Sequence, residues 1–127
     1  MPTPPRILCI DDDDDTCFML KTLLGRADLE ATSILSTAEA LRLIEKEKFN
    51  LYIVDFQLPA VSGLEFCKEI RRQDDETPII IYTGAGYEND RAAGMLAGAN
   101  AYLVKPGIGE IVPTVKRLLE EATTPPA

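Results

Sequence analysis

Several short apolar runs in this chain end in residues that could do chemistry. Ile7-Leu8-Cys9-Ile10 leads into Asp11-Asp12-Asp13-Asp14-Asp15, and Leu51-Tyr52-Ile53-Val54 leads into Asp55-Phe56-Gln57-Leu58-Pro59. Pro78-Ile79-Ile80-Ile81-Tyr82 ends in Thr83, with Gly84 and Ala85 after it, and Ala101-Tyr102-Leu103-Val104 ends in Lys105-Pro106. Gathered on one rim, these ends would bring carboxylates, a hydroxyl and an ammonium together. Carboxylates about 5 Å apart at an effective dielectric near 20 repel by about 3 kcal/mol per pair, so such a cluster needs a cation. The ligands on offer are oxygens, with no thiolate at the rim and no histidine in the chain. That selects a hard ion, and Mg²⁺ fits best because it keeps several waters and accepts few carboxylates. A metal-held carboxylate beside a hydroxyl, a cation and free backbone amides makes a phosphoryl site, with a nucleophile and donors for the oxygens.

The elements that must position these residues can be read from hydrophobic periodicity. Strands are expected at residues 6–10, 30–35, 51–54, 78–82 and 101–104. The helix after the first strand carries Cys17, Leu20, Leu23 and Leu24 and should stop near Gly25. Ser36-Thr37-Ala38-Glu39 has capping-box spacing and opens a helix with Ala40, Leu41 and Ile44. Leu64, Cys67 and Ile70 mark the third helix, and residues 88–96 form an Ala- and Gly-rich fourth. The last helix carries the stripe Ile108, Ile111, Val112, Val115, Leu118 and Leu119, with Pro113 expected in its first turn. β-then-α units whose strands are apolar on both faces predict an α/β fold with a doubly wound parallel sheet covered by helices on both sides. Right-handed crossovers then put every strand's C-terminal end on one edge, where open α/β sheets bind ligands.

Composition narrows the function further. A chain of 127 residues suits one compact domain, which should bury roughly two-thirds of its unfolded surface. At 46% hydrophobic residues it is globular in composition. The absence of histidine excludes Ser-His-Asp and Cys-His catalysis, a His-bearing zinc site and a phosphohistidine on this chain. A net charge of −8 argues against nucleic-acid or anionic-membrane binding by the domain itself. Cys9, Cys17 and Cys67 are an odd set without CxxC spacing, read as core residues of a reducing compartment. No apolar run is long enough for a membrane span, and no basic-then-apolar leader opens the chain, so the expectation is a soluble cytoplasmic protein. Pro-rich ends at residues 1–5 and 122–127 read as tails or linker stubs around a domain at 6–121. No DNA-binding or enzymatic output domain fits beside it in this length.

Ile7-Leu8-Cys9-Ile10-Asp11-Asp12, Val54-Asp55-Phe56-Gln57-Leu58-Pro59 with Gly63, Ile80-Ile81-Tyr82-Thr83-Gly84, and Gly98-Ala99-Asn100-Ala101-Tyr102-Leu103-Val104-Lys105-Pro106 together resemble the receiver domain of two-component response regulators. The resemblance runs from about Arg6 to Leu119 in the family's order and spacing. It implies a flavodoxin-like (βα)5 fold with strand order 2-1-3-4-5. It also implies that Asp55 is the phosphoacceptor, taking a phosphoryl group from a histidine kinase or histidine phosphotransfer protein. Asp12 would bind Mg²⁺ directly and Asp11 mostly through water, with Gln57 adding its backbone carbonyl. Thr83 and Lys105 would contact phosphoryl oxygens. Tyr102 would be the switch aromatic, turning inward as Thr83 moves and remodelling the face of the fourth helix, fifth strand and fifth helix for an output protein or domain. On this reading the chain is a signalling phosphoacceptor rather than an enzyme with a separate substrate. Gln57 and Ala85 occupy positions the family uses to tune phosphate lifetime. Gly107 departs from the Phe that often follows Lys-Pro, and the Lys105–Pro106 bond is expected to be cis.

Other readings of the same residues compete. Asp12-x-Asp14-x-Thr16 fits the DxDxT motif of haloacid-dehalogenase-type phosphatases, but leaves Asp55 and Thr83 without roles. Asp11-x-Asp13-x-Asp15 resembles a calcium loop, yet Thr16 stands at the required Gly and Thr22 at the closing Glu. Asp13, Asp14 and Asp15 are read instead as a helix N-cap and first turn, where carboxylates complement the dipole. A third alternative is a receiver-like interaction module that has lost its chemistry, disfavoured because every position of the site holds a competent residue.

Overall fold

A computed structural model describes residues 3–58, 61–84, 86 and 88–123. Its elements are β1 (Arg6–Ile10), α1 (Asp14–Arg26), β2 (Glu30–Ile34), α2 (Thr37–Lys46), β3 (Leu51–Val54), α3 (Gly63–Gln73), β4 (Ile79–Thr83), α4 (Glu88–Leu96), β5 (Ala101–Val104) and α5 (Ile108–Thr123). The five strands pair in parallel, as the apolar runs imply, and in the order β2-β1-β3-β4-β5 that the resemblance implies. Pro59, Ala85 and the end residues 1–2 and 124–127 lie outside the described residues.

Strand alternation divides the core into two layers. Leu8, Ile10, Tyr52, Val54, Ile79, Ile81 and Tyr102 meet Ala40 of α2 and Phe66, Cys67 and Ile70 of α3. Their neighbours Ile7, Cys9, Leu51, Ile53, Ile80 and Tyr82 meet Leu20 and Leu24 of α1 and Ile111, Val115 and Leu118 of α5. Being apolar on both faces is what makes β1, β3 and β4 continuous hydrophobic runs. The edge strand β2, Glu-Ala-Thr-Ser-Ile, is only half-buried beyond Glu30, which explains its weaker signature.

Local sequence sets the helix ends. The Ser36 hydroxyl accepts from the Glu39 amide at 3.3 Å, and Ser62 does the same for Glu65 at 3.2 Å. Helices α1 and α4 end in matching turns. Leu29 N–H reaches Leu24 O at 2.9 Å around Asp28 (φ 63°), and Ala99 N–H reaches Gly94 O at 3.2 Å around Gly98 (φ 114°). Both are Schellman closures, with an aspartate in the left-handed position of the first. This closure carries α1 one residue past Gly25, to Arg26. Strand β4 is displaced by one residue from the expected 78–82: Pro78 has no N–H to give the ladder, though its carbonyl accepts from Tyr52 N–H at 2.9 Å.

Two expectations for α5 are corrected. The helix starts at Ile108, directly after the Pro106-Gly107 turn, so Pro113 falls in its second turn, inside the helix rather than at its start. Ile108 is also 51% exposed, because the first residue of α5 sits at the rim, beyond the layer that buries Ile111 and Val115.

At the opposite edge, where β4 and β5 begin, Arg71 in the last turn of α3 binds several loops at once. Its Nη1 donates to Asp74 O at 3.0 Å and Thr77 O at 2.9 Å. Its Nε and Nη2 both reach Gly98 O, at 3.0 and 2.9 Å, and Nη2 also reaches Asn100 Oδ1 at 3.0 Å.

Candidate functional site

In the order β2-β1-β3 the direction in which successive strands are added to the sheet reverses at β1 and β3, so these strand ends open the crevice in which α/β sheets place ligands. Ile10 pairs with Val54, and the Asp55 amide donates to Ile10 O at 3.0 Å. Asp11 and Asp55 are therefore lateral neighbours. On the other side Thr83 pairs with Val104, and the Lys105 amide donates to Thr83 O at 2.7 Å. Register alone thus brings Asp11, Asp55, Thr83 and Lys105, from separate parts of the sequence, to one rim.

Carboxylate oxygens of Asp11, Asp12 and Asp55 lie within 4.8 Å of one another. Asp11 and Asp55 are buried and Asp12 is exposed, so the cluster is open to solvent on one side. Lys105 Nζ donates to Asp11 Oδ2 at 3.0 Å and Asp55 Oδ2 at 3.3 Å. The remaining oxygens take backbone donors, Asp13 N–H to Asp11 Oδ1 at 2.9 Å and Gln57 N–H to Asp55 Oδ1 at 3.1 Å. Gln57 itself is exposed beside the site, and Thr83 is fully buried beneath it.

One ammonium facing three carboxylates leaves a net negative site made of oxygens, which fits a small hard divalent cation. The electrostatics agree. Burial pushes the Asp11 carboxyl above the ordinary carboxylate range, and the Asp13 amide and Lys105 pull it only part of the way back. Burial draws Lys105 down, but its hydrogen bond to Asp11 and the charges of Asp11 and Asp55 leave it raised overall. A carboxyl with a raised folded-state pKa holds its proton longer in the folded chain than in the unfolded one. The metal-free protein therefore loses stability as pH climbs from the ordinary carboxylate range through Asp11's raised value. The raised Lys105 works at the other extreme, its contribution present below its unfolded value and lost as pH rises through the folded one. Asp11→Asn should accordingly raise the thermal midpoint of metal-free protein at neutral pH and flatten its acid-side pH dependence. The same variant should lose stabilisation by added Mg²⁺, measured by paired melts in chelator and in Mg²⁺.

Supporting residues complete the rim. Gly63, at the start of α3, is buried against the Asp55–Phe56 backbone, and its N–H donates to Phe56 O at 2.8 Å. Tyr102 is buried, with its ring edge-on to Phe56 at 6.3 Å. A Cβ on Gly94 of α4 would stand 3.2 Å from the Tyr102 ring, so helix and ring pack at glycine distance. Gly107 (φ 32°) turns back over Val104 O, which an added Cβ would approach to 2.8 Å, so the turn itself calls for glycine at this position. The Lys105–Pro106 bond is cis, as expected.

The competing aspartate readings do not converge. Asp13 is the N-cap of α1, Asp14 and Asp15 lie exposed in its first turn, and the Thr16 hydroxyl donates to Asp13 Oδ2 at 2.6 Å. Asp14 thus belongs to the first turn of α1 and Thr16 is engaged by Asp13, while the carboxylates that Asp12 approaches are those of Asp11 and Asp55. The cysteines are free and buried, with burial holding each thiol above its usual range. Sequence reasoning passed over Tyr82, whose hydroxyl donates to Pro106 O at 2.6 Å. A tyrosine closing an otherwise aliphatic strand was the available signal, since a buried phenol needs a partner.

The family model for the response regulator receiver domain matches residues 7–116. The transcriptional regulatory protein PrrA of Mycobacterium tuberculosis is 34% identical over 118 residues, 92% of this chain and 51% of PrrA. The chain spans about half the length of the curated relatives it matches. Among solved structures, the receiver domain of the Francisella response regulator 1452 superposes with a TM-score of 0.88 at 28% identity, covering 94% of this chain and 99% of that one. The Thermotoga maritima response regulator TrrA, solved with Mg²⁺ and beryllofluoride, superposes with a TM-score of 0.81 at 31% identity, covering 90% and 98%.

Proposed function

The chain belongs to the response regulator receiver family, and from that premise we propose that Asp55 is its phosphoacceptor in Mg²⁺-dependent two-component signalling. One observation carries the proposal: Lys105 Nζ bridges the Asp11 and Asp55 carboxylates while an Asp12 oxygen lies within 4.8 Å of both. Asp11, Asp12 and Asp55, with the backbone carbonyl of Gln57, would hold Mg²⁺. When bound, the ion supplies the charge neutralisation that lets a phosphate approach a carboxylate.

The residues divide the rest of the work. An Asp55 carboxylate oxygen attacks phosphorus, a new P–O bond forms as the donor's P–N bond breaks, and the departing imidazole takes up a proton. The chain has no histidine, so a phosphohistidine donor must belong to a kinase or phosphotransfer protein. The backbone holds Asp55 in place through Ile10 O and Gln57 N–H. Lys105 takes charge that develops on the phosphoryl oxygens, acting from a partly dry site where such contacts are strong. Thr83 contacts a phosphoryl oxygen, and Tyr102 transmits its movement to the α4–β5–α5 face. That face exposes Met95, Leu96, Val104 and Ile108 to an output partner. Half of each curated relative lies beyond the matched region, so the output is proposed to be a separate domain or protein. No helix among the described residues is long and apolar enough to cross a membrane.

The test is incubation with a small phosphodonor and Mg²⁺, followed by intact mass. The wild type should gain one phosphoryl group, labile to hydroxylamine, and Asp55→Asn none. A gain that survives in Asp55→Asn but vanishes in Asp12→Asn would favour a dehalogenase-type nucleophile. No gain by the wild type with any divalent metal would leave an inert module.

A further inference from the structure

Tyr82 is not among the residues that would touch Mg²⁺ or phosphate, yet it contacts both the turn and the ammonium that would. It is buried on β4 next to Thr83, with its ring in the layer shared with α1 and α5. From there its hydroxyl donates to Pro106 O at 2.6 Å, and its ring centroid lies 5.6 Å from Lys105 Nζ. Gly107 offers no side chain to anchor this turn in the core, and Pro106 is exposed. We propose that Tyr82 is the positioning residue for Lys105, its hydroxyl fixing the Lys105-Pro106-Gly107 turn and its ring forming a floor beneath the ammonium.

Lys105 Nζ has Asp11 on one side, Asp55 on another and the Tyr82 ring within cation–π range. A lysine stem has several rotatable bonds and many competing rotamers, so the ammonium is useful to a phosphoryl oxygen only when its other directions are closed. The carboxylates close two and the ring closes a third. The main chain carrying Lys105 is held twice, by Lys105 N–H on Thr83 O at 2.7 Å and by the phenol on Pro106 O. Tyr82 and Thr83 are adjacent on β4, so one strand end positions both of the groups that would meet the phosphoryl oxygens.

This inference rests on the receiver reading and can fail without it. The test uses Mg²⁺ and the phosphoryl mimic beryllofluoride, with binding followed by calorimetry on the whole chain. Tyr82→Phe keeps the ring and loses the hydroxyl. It should bind Mg²⁺ as the wild type does but beryllofluoride about threefold to tenfold more weakly, the size of one buried neutral hydrogen bond. Tyr82→Leu should weaken it further, and if that variant does not fold the phenylalanine variant decides alone. In a Lys105→Met background, Tyr82→Phe should change nothing more, because its effect runs through the lysine. Equal beryllofluoride affinity in Tyr82→Phe and wild type overturns the proposal. So does a parallel loss of Mg²⁺ affinity, or a full additional loss in the Lys105→Met background. Absence of beryllofluoride binding by the wild type would overturn the receiver reading, and this inference with it.

Discussion

Gly63→Ala should destabilise the protein by about 2–4 kcal/mol and slow phosphoryl uptake at least about tenfold. An ideal Cβ on Gly63 would lie 2.3 Å from Asp55 O, 2.6 Å from Phe56 Cα and 3.0 Å from Asp55 C. All three are main-chain atoms, so no side chain can rotate away. Either α3 retreats and loses the Gly63 N–H to Phe56 O bond, or the Asp55–Phe56 peptide moves and carries the proposed acceptor with it. Urea denaturation reads the first effect, and the rate of mass gain from a small phosphodonor reads the second. Gly109→Ala is the control: its Cβ meets nothing within 4 Å, and alanine in a helix should be neutral or stabilising. A Gly63→Ala protein with wild-type stability and uptake would falsify this account of how Asp55 is placed.

Arg71→Ala should cost about 3 kcal/mol or more, with little change at the opposite edge of the sheet. The guanidinium serves Asp74 O, Thr77 O, Gly98 O and Asn100 Oδ1. Hydrogen bonds from a charged donor contribute about 1.5–3 kcal/mol each, and bonds sharing one donor group do not add fully. Asn100 Oδ1 also accepts from Ile79 N–H at 2.9 Å, so the loss reaches the first residue of β4. Arg71→Lys should recover little, since a point ammonium cannot reproduce a planar fork aimed at several carbonyls. The expected outcome is a lower urea midpoint for both variants, with Mg²⁺ affinity unchanged in the folded protein. A lysine variant as stable as the wild type would mean that charge alone holds these loops.

How much of this was legible in the sequence depended on what kind of partner each residue has. Strands buried on both faces were readable as continuous apolar runs, and Arg6–Ile10 and Leu51–Val54 fall at the expected residues; so does the edge strand Ala101–Val104, an apolar run of which only Tyr102 is buried. The cap at Ser36 was readable because its partner lies at a fixed spacing. Asp11, Asp55, Thr83 and Lys105 could be grouped because a parallel sheet sends every strand end to one rim, so topology supplied what distance along the chain concealed. Asp12's exposure and the Lys105 bridge needed coordinates. Arg71 was invisible because its acceptors are mostly main-chain carbonyls, which every residue carries and no motif records. Gly63 could be quoted as part of a pattern, but its reason, contact with the Asp55 backbone, lies in the packing. Pro113 was misplaced because apolar periodicity fixes the face of a helix better than its first residue.

The alternation of side chains along β4 and β5 has a mechanical consequence. Ile81 and Tyr102 load the layer built on α2 and α3, while Tyr82 loads the layer built on α1 and α5. The main chain between them is stiff across the sheet, with Thr83 O tied to Lys105 N–H. Protein interiors are packed too tightly to absorb such a shift as empty space. A push that lifts this edge out of the sheet plane therefore squeezes one layer by what it slackens in the other. Loaded in this way, the edge would act as a see-saw, with a displacement at the rim felt with opposite sign on the two sides of the molecule.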